Sequence, residues 1–248
     1  MATDDGKSTS EDGWIAPEED VAGRLSELAR SLQREDSEDA VLEQLVRAAL
    51  QLVPGAEEAS ITLVTGRRRV ESRFPSSDLA RALDELQERT GEGPCVSAVY
   101  DEQTVRVPDL RNEARWPEFS TRAADAGAGS MLSFQLFVHG DNLGALNLAS
   151  RTPHGFSEES GYVGLLVAAH AAVAFSDAQK LHQFKDAIAT RDLIGQAKGI
   201  LMERYGITSG QAFIMLVQVS SQTNAKLLAV AEQLATTGSL PVRARGRA

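Results

Sequence analysis

The sequence predicts an α+β fold: a sandwich with a mainly antiparallel sheet and flanking helices, joined by one long helix to an all-α end of three helices. Three observations carry this expectation. Between residues 21 and 150 the apolar periodicities follow the order helices, hairpin, helix, strand, helix, hairpin, rather than the strict βαβ alternation of a doubly wound parallel sheet. From His154 to Leu240 there is no proline, and Ser157-Glu158-Glu159 opens that stretch with a capping hydroxyl and two carboxylates at the positive end of a helix dipole. After Gly206, two short helical patterns close the chain.

Each element has its own local signal. Leu25, Leu28 and Leu32 recur at helical spacing within Val21 to Arg34, as do Val41, Leu45, Ala48, Ala49 and Leu52 within Ala40 to Val53, where Pro54-Gly55 stops the helix. Ala59 to Thr65 and Arg69 to Phe74 alternate and are joined at Gly66-Arg67, which predicts a hairpin. A helix from about Asp78 to Arg89 precedes the turn Gly91-Glu92-Gly93-Pro94, a strand at Thr104 to Val107 and a polar loop at Asp109 to Arg115. A helix from Pro117 to Ala126 leads to two apolar runs, Ser130 to Val138 and Leu143 to Ser150, separated by His139-Gly140-Asp141-Asn142. The long helix runs from Ser157 to Tyr205; at ~45 residues it is ~68 Å long, more than one small domain covers, and such a helix usually dimerises. Thr208 and Gln211 have capping-box spacing ahead of Ala212 to Ser221, and Thr223 or Asn224 is the expected cap of Lys226 to Ala235. Phe213, Leu216, Val217 and Ser220 share one helical face, as do Leu227, Val230, Ala231 and Leu234, and both read as core stripes.

Composition bounds the function. One cysteine, Cys95, rules out an intrachain disulfide and a Cys-rich zinc site. His139, His154, His170 and His182 are dispersed, so no metal site is expected. With no basic, apolar leader and no run of 18 uncharged apolar residues, the expectation is a cytoplasmic protein with no membrane partner. The net charge of −10 conceals an asymmetry. Residues 1–39 hold 12 acidic and 4 basic side chains, whereas residues 180–248 hold 9 basic and 4 acidic ones, as expected if the basic end has an anionic partner of its own.

The segment from Arg191 to Arg204, Arg-Asp-Leu-Ile-Gly-Gln-Ala-Lys-Gly-Ile-Leu-Met-Glu-Arg, stands out. Gly195 and Gly199 each cost a helix roughly 1 kcal/mol against alanine, and they flank Arg191, Gln196 and Lys198. Glycine there permits close approach of the backbone by either a packed helix or a ligand. No nucleophile, base and orienter set is present, so an enzyme is not expected.

Residues 187 to 236 closely resemble the ANTAR family, through that segment followed by Ala212-Phe213, Ser220, Asn224, Lys226-Leu227 and Val230-Ala231. The resemblance implies a three-helix module that binds paired RNA hairpins with six-nucleotide loops in transcript leaders and so prevents a terminator from forming. It places RNA contact on Arg191, Gln196, Lys198, Arg204, Ser220, Asn224 and Lys226, and packing on Ala197, Ala212, Phe213, Leu216 and Ala231. The chain departs from the family at Leu228-Ala229, where an arginine and an acidic residue are common. A DNA-binding regulator is the alternative, but Gln211 to Ser221 is too apolar for base readout in a major groove.

Upstream, Gly91-Glu92-Gly93-Pro94-Cys95, Pro108-Asp109-Leu110-Arg111, Arg115-Trp116-Pro117-Glu118-Phe119, Ser130-Met131-Leu132-Ser133 and Gly144-Ala145-Leu146-Asn147-Leu148 resemble a GAF domain over about residues 22–178. That implies a GAF-type sandwich with a pocket for a small molecule, a tetrapyrrole, a cyclic nucleotide or a metal centre, and leaves the ligand and any cofactor open. Cys95, Trp116, Phe119 and Phe134 are candidates for the pocket wall, though each also reads as a core residue. The expected organisation is an acidic disordered tail (1–20), a GAF sensor (21–179), an ANTAR module (180–237) and a basic disordered tail (238–248), working as a homodimer that regulates transcription in response to a signal.

Overall fold

The computed structural model describes residues 17–35, 37–65, 69–100, 103–138 and 141–241. The expectations for the acidic residues 1–16, the Gly66-Arg67 and His139-Gly140 turns and the arginine tail from 242 onward lie outside these residues. The chain divides into two compact units, residues 1–179 and 180–248.

In the first unit, helices α1 (Pro17–Leu32) and α2 (Glu38–Leu52) precede the hairpin β1 (Glu58–Thr65) and β2 (Arg69–Arg73). Ser37 caps α2 by accepting from the Ala40 amide. Helices α3 (Asp78–Thr90) and α4 (Pro94–Tyr100), strand β3 (Thr104–Val107), a 3-10 turn at Leu110–Asn112, α5 (Pro117–Asp125) and the pair β4 (Ser130–Val138) and β5 (Asp141–Ser150) follow. The expected turn at residues 91–94 is more than a turn. Gly91 ends α3 in the left-handed region (φ +67°), and Pro94 opens α4, a short helix that its neighbouring glycines masked.

The five strands pair in the order β2-β1-β5-β4-β3, and every pairing is antiparallel. One face of this sheet is apolar. Ile61, Leu146, Leu148, Leu132, Phe134 and Leu136 point into a core shared with α1, α2 and the start of α6 (Glu158–Tyr205). On the other face, Val105, Val107, Met131, Ala145 and Ala149 pack beneath α3, α4 and α5 with Leu83, Cys95, Trp116 and Phe119. Sheet alternation by two residues sorts these sets.

Helix α6 is 48 residues long. Its start is locked twice: Ser157 and Ser160 exchange backbone-to-hydroxyl hydrogen bonds (2.9 and 3.2 Å), and the Ser160 hydroxyl donates to the Pro54 carbonyl (2.8 Å). By length and composition it could cross a membrane, but 44% of its most apolar window is buried, with Val163, Val167, Ala168, Ala171, Ala172 and Phe175 in the sandwich core. A core helix passes the same test.

The second unit contains the end of α6, α7 (Ser209–Thr223) and α8 (Leu227–Thr237) around Ala197, Leu201, Ala212, Leu216, Val230, Ala231 and Leu234. Gly206 (φ +62°) stops α6, and the Thr208–Gln211 capping box starts α7. Two details differ from expectation. Asn224 does not cap α8: it closes α7 in the left-handed region (φ 52°), and Lys226 is the α8 N-cap, without a side-chain cap bond. The buried stripe of α7 is Ala212, Leu216 and, in part, Met215 and Val219, while Phe213 and Val217 are each 40% exposed. This helix is apolar on both faces, so periodicity alone misassigns its inner face.

Close approach of α6 to the sheet yields the first prediction. A Cβ on Gly164 would sit 2.4 Å from the fully buried Phe134 ring, whereas one on Gly161 would meet nothing within 4 Å. Gly164→Ala should therefore lower the melting temperature by several degrees despite a helix-propensity gain of about 1 kcal/mol, because overpacking costs roughly 1–3 kcal/mol. Gly161→Ala should raise it; equal shifts in both variants would show that α6 does not pack so tightly.

Candidate functional site

Two regions hold polar groups that the packing does not require. The first lies on the sheet face beneath α3. Cross-strand register places Ser60, Asn147 and Ser133 in one row over β1, β5 and β4. Asp84 of α3 reaches into this row and accepts from the hydroxyls of Ser60 (2.9 Å) and Ser72. Asn147 Nδ2 donates to Thr62 Oγ1 (2.9 Å) and Ser60 Oγ (3.4 Å). Gln87 accepts from the Cys95 amide (2.8 Å). Asn147 Oδ1, Gln87 Nε2 and Ser133 Oγ are buried with no hydrogen-bond partner in the protein. Two voids of about 10 Å³ adjoin Asp84, each close to the size of a single water.

The four pocket-wall candidates do not converge there. Cys95 lines one of the voids, 2% exposed. Burial pushes its thiol up to about 12, so it stays protonated and unreactive at neutral pH. Trp116 and Phe119 lie in the same core but line neither void; the Arg115 guanidinium stacks on the Trp116 ring at 4.4 Å. Phe134 faces the opposite side of the sheet, against α6. The residues that sequence reasoning missed are Ser60, Thr62, Asp84, Gln87 and Asn147. A signal existed, since Asn147 interrupts the apolar run of β5 and Ser60 and Thr62 occupy alternate positions of β1.

The second region is in the C-terminal unit. A groove of about 600 Å³ runs along α6, lined by Asp186, Ala187, Thr190, Arg191, Ile194, Gly195, Lys198 and by Phe213 of α7. A Cβ on Gly195 or Gly199 would meet nothing within 4 Å, so neither glycine is required by packing among the described residues of the chain. Of the seven basic and polar candidates, the groove gathers Arg191 and Lys198, which share a helix face. Gln196 is turned from Arg191 by about 140° at 3.6 residues per turn. Arg204 lies beside Gly238 at the C-terminal, negative end of α8 (3.8 Å from its Cβ position). Ser220 lies in the last turn of α7, with Asn224 as its C-cap and Lys226 as the N-cap of α8, and the Ser220 hydroxyl donates to the Ala225 carbonyl (2.7 Å). Among the described residues no group of three or more His, Cys, Asp or Glu side chains is placed to hold a metal.

A two-faced antiparallel sheet with a buried polar row is followed through a continuous helix by a three-helix unit whose groove holds two cations. The chain belongs to the GAF domain family, whose model matches residues 35–176, and it carries an ANTAR domain at residues 182–234. It is a signal-responsive regulator of that architecture. Among solved structures, the GAF domain from an Acinetobacter phosphoenolpyruvate-protein phosphotransferase is similar at 15% identity and TM-score 0.50, covering 67% of this chain and 97% of its own. The Stigmatella aurantiaca phytochrome photosensory core module (12%, TM-score 0.56) covers 82% of this chain and 45% of its own, and bacteriophytochrome RpBphP3 from R. palustris (13%, 0.53) covers 84% and 48%. These likenesses carry the fold alone. No curated protein matches significantly.

Asp84 supplies a prediction with a sign. Burial raises its pKa from 3.8 to about 6, opposed by hydrogen bonds from Ser72 and Ser60 and by the nearby Arg81. The fold thus favours the protonated acid. Its contribution to stability is fully present below pH ~4 and is lost as pH rises to ~6, leaving a penalty on the order of 3 kcal/mol above that. In urea unfolding at pH 4, 5, 6 and 7, Asp84→Asn, which cannot ionise, should gain stability relative to the wild type across that window. A difference independent of pH would mean that the carboxyl is not desolvated.

Proposed function

We propose that this chain is a cytoplasmic, homodimeric antiterminator: residues 21–179 sense a small ligand or signal, and residues 180–237 bind paired six-nucleotide hairpin loops in nascent RNA, preventing transcription termination. The observation that carries this reading is the groove on α6. It combines two cations, Arg191 and Lys198, with bare helix backbone at Gly195, within residues 180–248, where nine basic side chains outnumber four acidic ones. Among the described residues neither cation is paired with a carboxylate. Cations hold phosphates, and a helix without a side chain at Gly195 lets an RNA backbone come close. Gln196, Arg204, Ser220, Asn224 and Lys226 complete the proposed contact set from the other faces of the module. The dimer is supported by Leu181, Phe184 and Ile188, three apolar residues at helical spacing that are all exposed on α6. Cys95, Trp116 and Phe119 belong to the proposed sensing side, where the polar row under α3 supplies hydrogen-bonding groups.

In fluorescence titrations of the full chain, a hairpin pair with the cognate loops should bind more tightly than one with scrambled loops and identical stems. Lys198→Ala and Arg191→Ala should each weaken binding and reduce the slope of log affinity against log salt by about one, with little change in melting temperature. Equal binding of both RNAs with unchanged slopes would refute the reading.

A further inference from the structure

The ring of Phe213 lies in the groove on α6, where it is 40% exposed. Core-facing positions of α7 are filled by Ala212 and Leu216, both fully buried, yet the largest side chain of the helix is left 40% exposed. An aromatic ring left partly in water forgoes part of the stabilisation that burial would give. Its neighbours in the groove include the apolar Ala187 and Ile194 and the hydroxyl of Thr190, and two cations stand beside them. The cations are Arg191 and Lys198, with the bare backbone of Gly195 between them in sequence. The one carboxylate of the groove, Asp186, lies 3.4 Å from the imidazole Nε2 of His182 one helical turn earlier.

We propose that Phe213 is the stacking platform for one unpaired RNA base, with Arg191 and Lys198 holding the phosphates that flank it. This rests on the RNA-binding reading above and adds the residue that selects loop over stem. The chemistry follows from the arrangement. A duplex keeps its bases stacked inside and offers phosphates alone, which two cations would bind in any sequence. A splayed loop base offers a flat π-face as well, and a half-exposed phenyl ring beside two cations satisfies both needs at once. Gly195 keeps the floor of the groove clear, since any Cβ there would project into the open space the nucleotide needs. Ring stacking carries no charge, so its loss separates cleanly from the loss of phosphate contacts.

The test uses the full-length protein and an RNA hairpin whose six-nucleotide loop carries 2-aminopurine at successive positions, titrated at several salt concentrations. Phe213→Tyr should bind within about twofold of wild type and quench one loop position. Phe213→Leu and Phe213→Ala should lose ~10-fold or more in affinity at every salt concentration, with an unchanged salt slope and no quenching. Wild-type affinity in Phe213→Leu, alongside weakened binding in Lys198→Ala, would overturn the stacking role while leaving RNA binding intact. Unchanged RNA affinity with an altered sedimentation coefficient in Phe213→Leu would make the groove a protein interface and overturn it as well. Failure of the wild type to bind any hairpin would sink the RNA reading itself, and this inference with it.

Discussion

The continuity of α6 is the constraint on which the rest of this molecule depends. One helix supplies Val163, Val167, Ala171 and Phe175 to the sandwich core and Ala197 and Leu201 to the core of the C-terminal unit. Neither hydrophobic core is complete without it. Its beginning is held by the reciprocal Ser157–Ser160 cap and by the bond to the Pro54 carbonyl, and its end by Gly206. Between those stops the absence of proline keeps the hydrogen-bond ladder whole. Gly164 shows how narrow the tolerance is at the sensor end, since α6 lies against Phe134 with no room for a methyl group.

The sheet divides the first unit chemically. Its apolar face packs on α1, α2 and α6, and its polar row, Ser60, Asn147 and Ser133, is turned toward α3, α4 and α5. Because strand residues alternate, Asn147 on the polar face is bonded directly to Leu146 and Leu148 on the α6 face. A change in occupancy or charge around Asp84 and Asn147 thus has a short covalent route to the core that contains α6. The buried carboxyl and the three unpartnered polar atoms are costly where they stand, and pure packing would have replaced them with apolar side chains.

Much of this was legible in the sequence, for reasons that differ by element. Alternation in β1 and β2, the apolar runs of β4 and β5 and the caps at Ser157, Thr208 and Gly206 are local properties, and local properties survive folding. The resemblance to GAF and ANTAR domains gave the architecture. Helix α4 was hidden because Pro94 follows two glycines, a pattern that reads as a turn until the tertiary structure places a helix behind it. The inner face of α7 was misassigned because Phe213, Ile214 and Val217 make its outer face as apolar as its inner one. Asn224 was assigned to the wrong helix because the same side chain suits an N-cap and a left-handed C-cap. The cluster around Asp84 depends on contacts between β1, β2, β5 and α3; the alternation of Ser60 and Thr62 and the break at Asn147 mark its strand side, but nothing local in α3 ties Asp84 to them.

The central claim, that a single uninterrupted helix belongs to both the GAF domain and the C-terminal ANTAR unit, is tested most directly by native-state hydrogen exchange along α6 in the full-length protein. Residues 181–189 are exposed in the single chain, so no tertiary contact within it protects their amides, which exchange slowly only if the helix runs unbroken there, with or without a partner helix against it. The account predicts slowed exchange from residue 163 to residue 204 without a gap. Exchange at the rate of unstructured chain across 181–189 would contradict it.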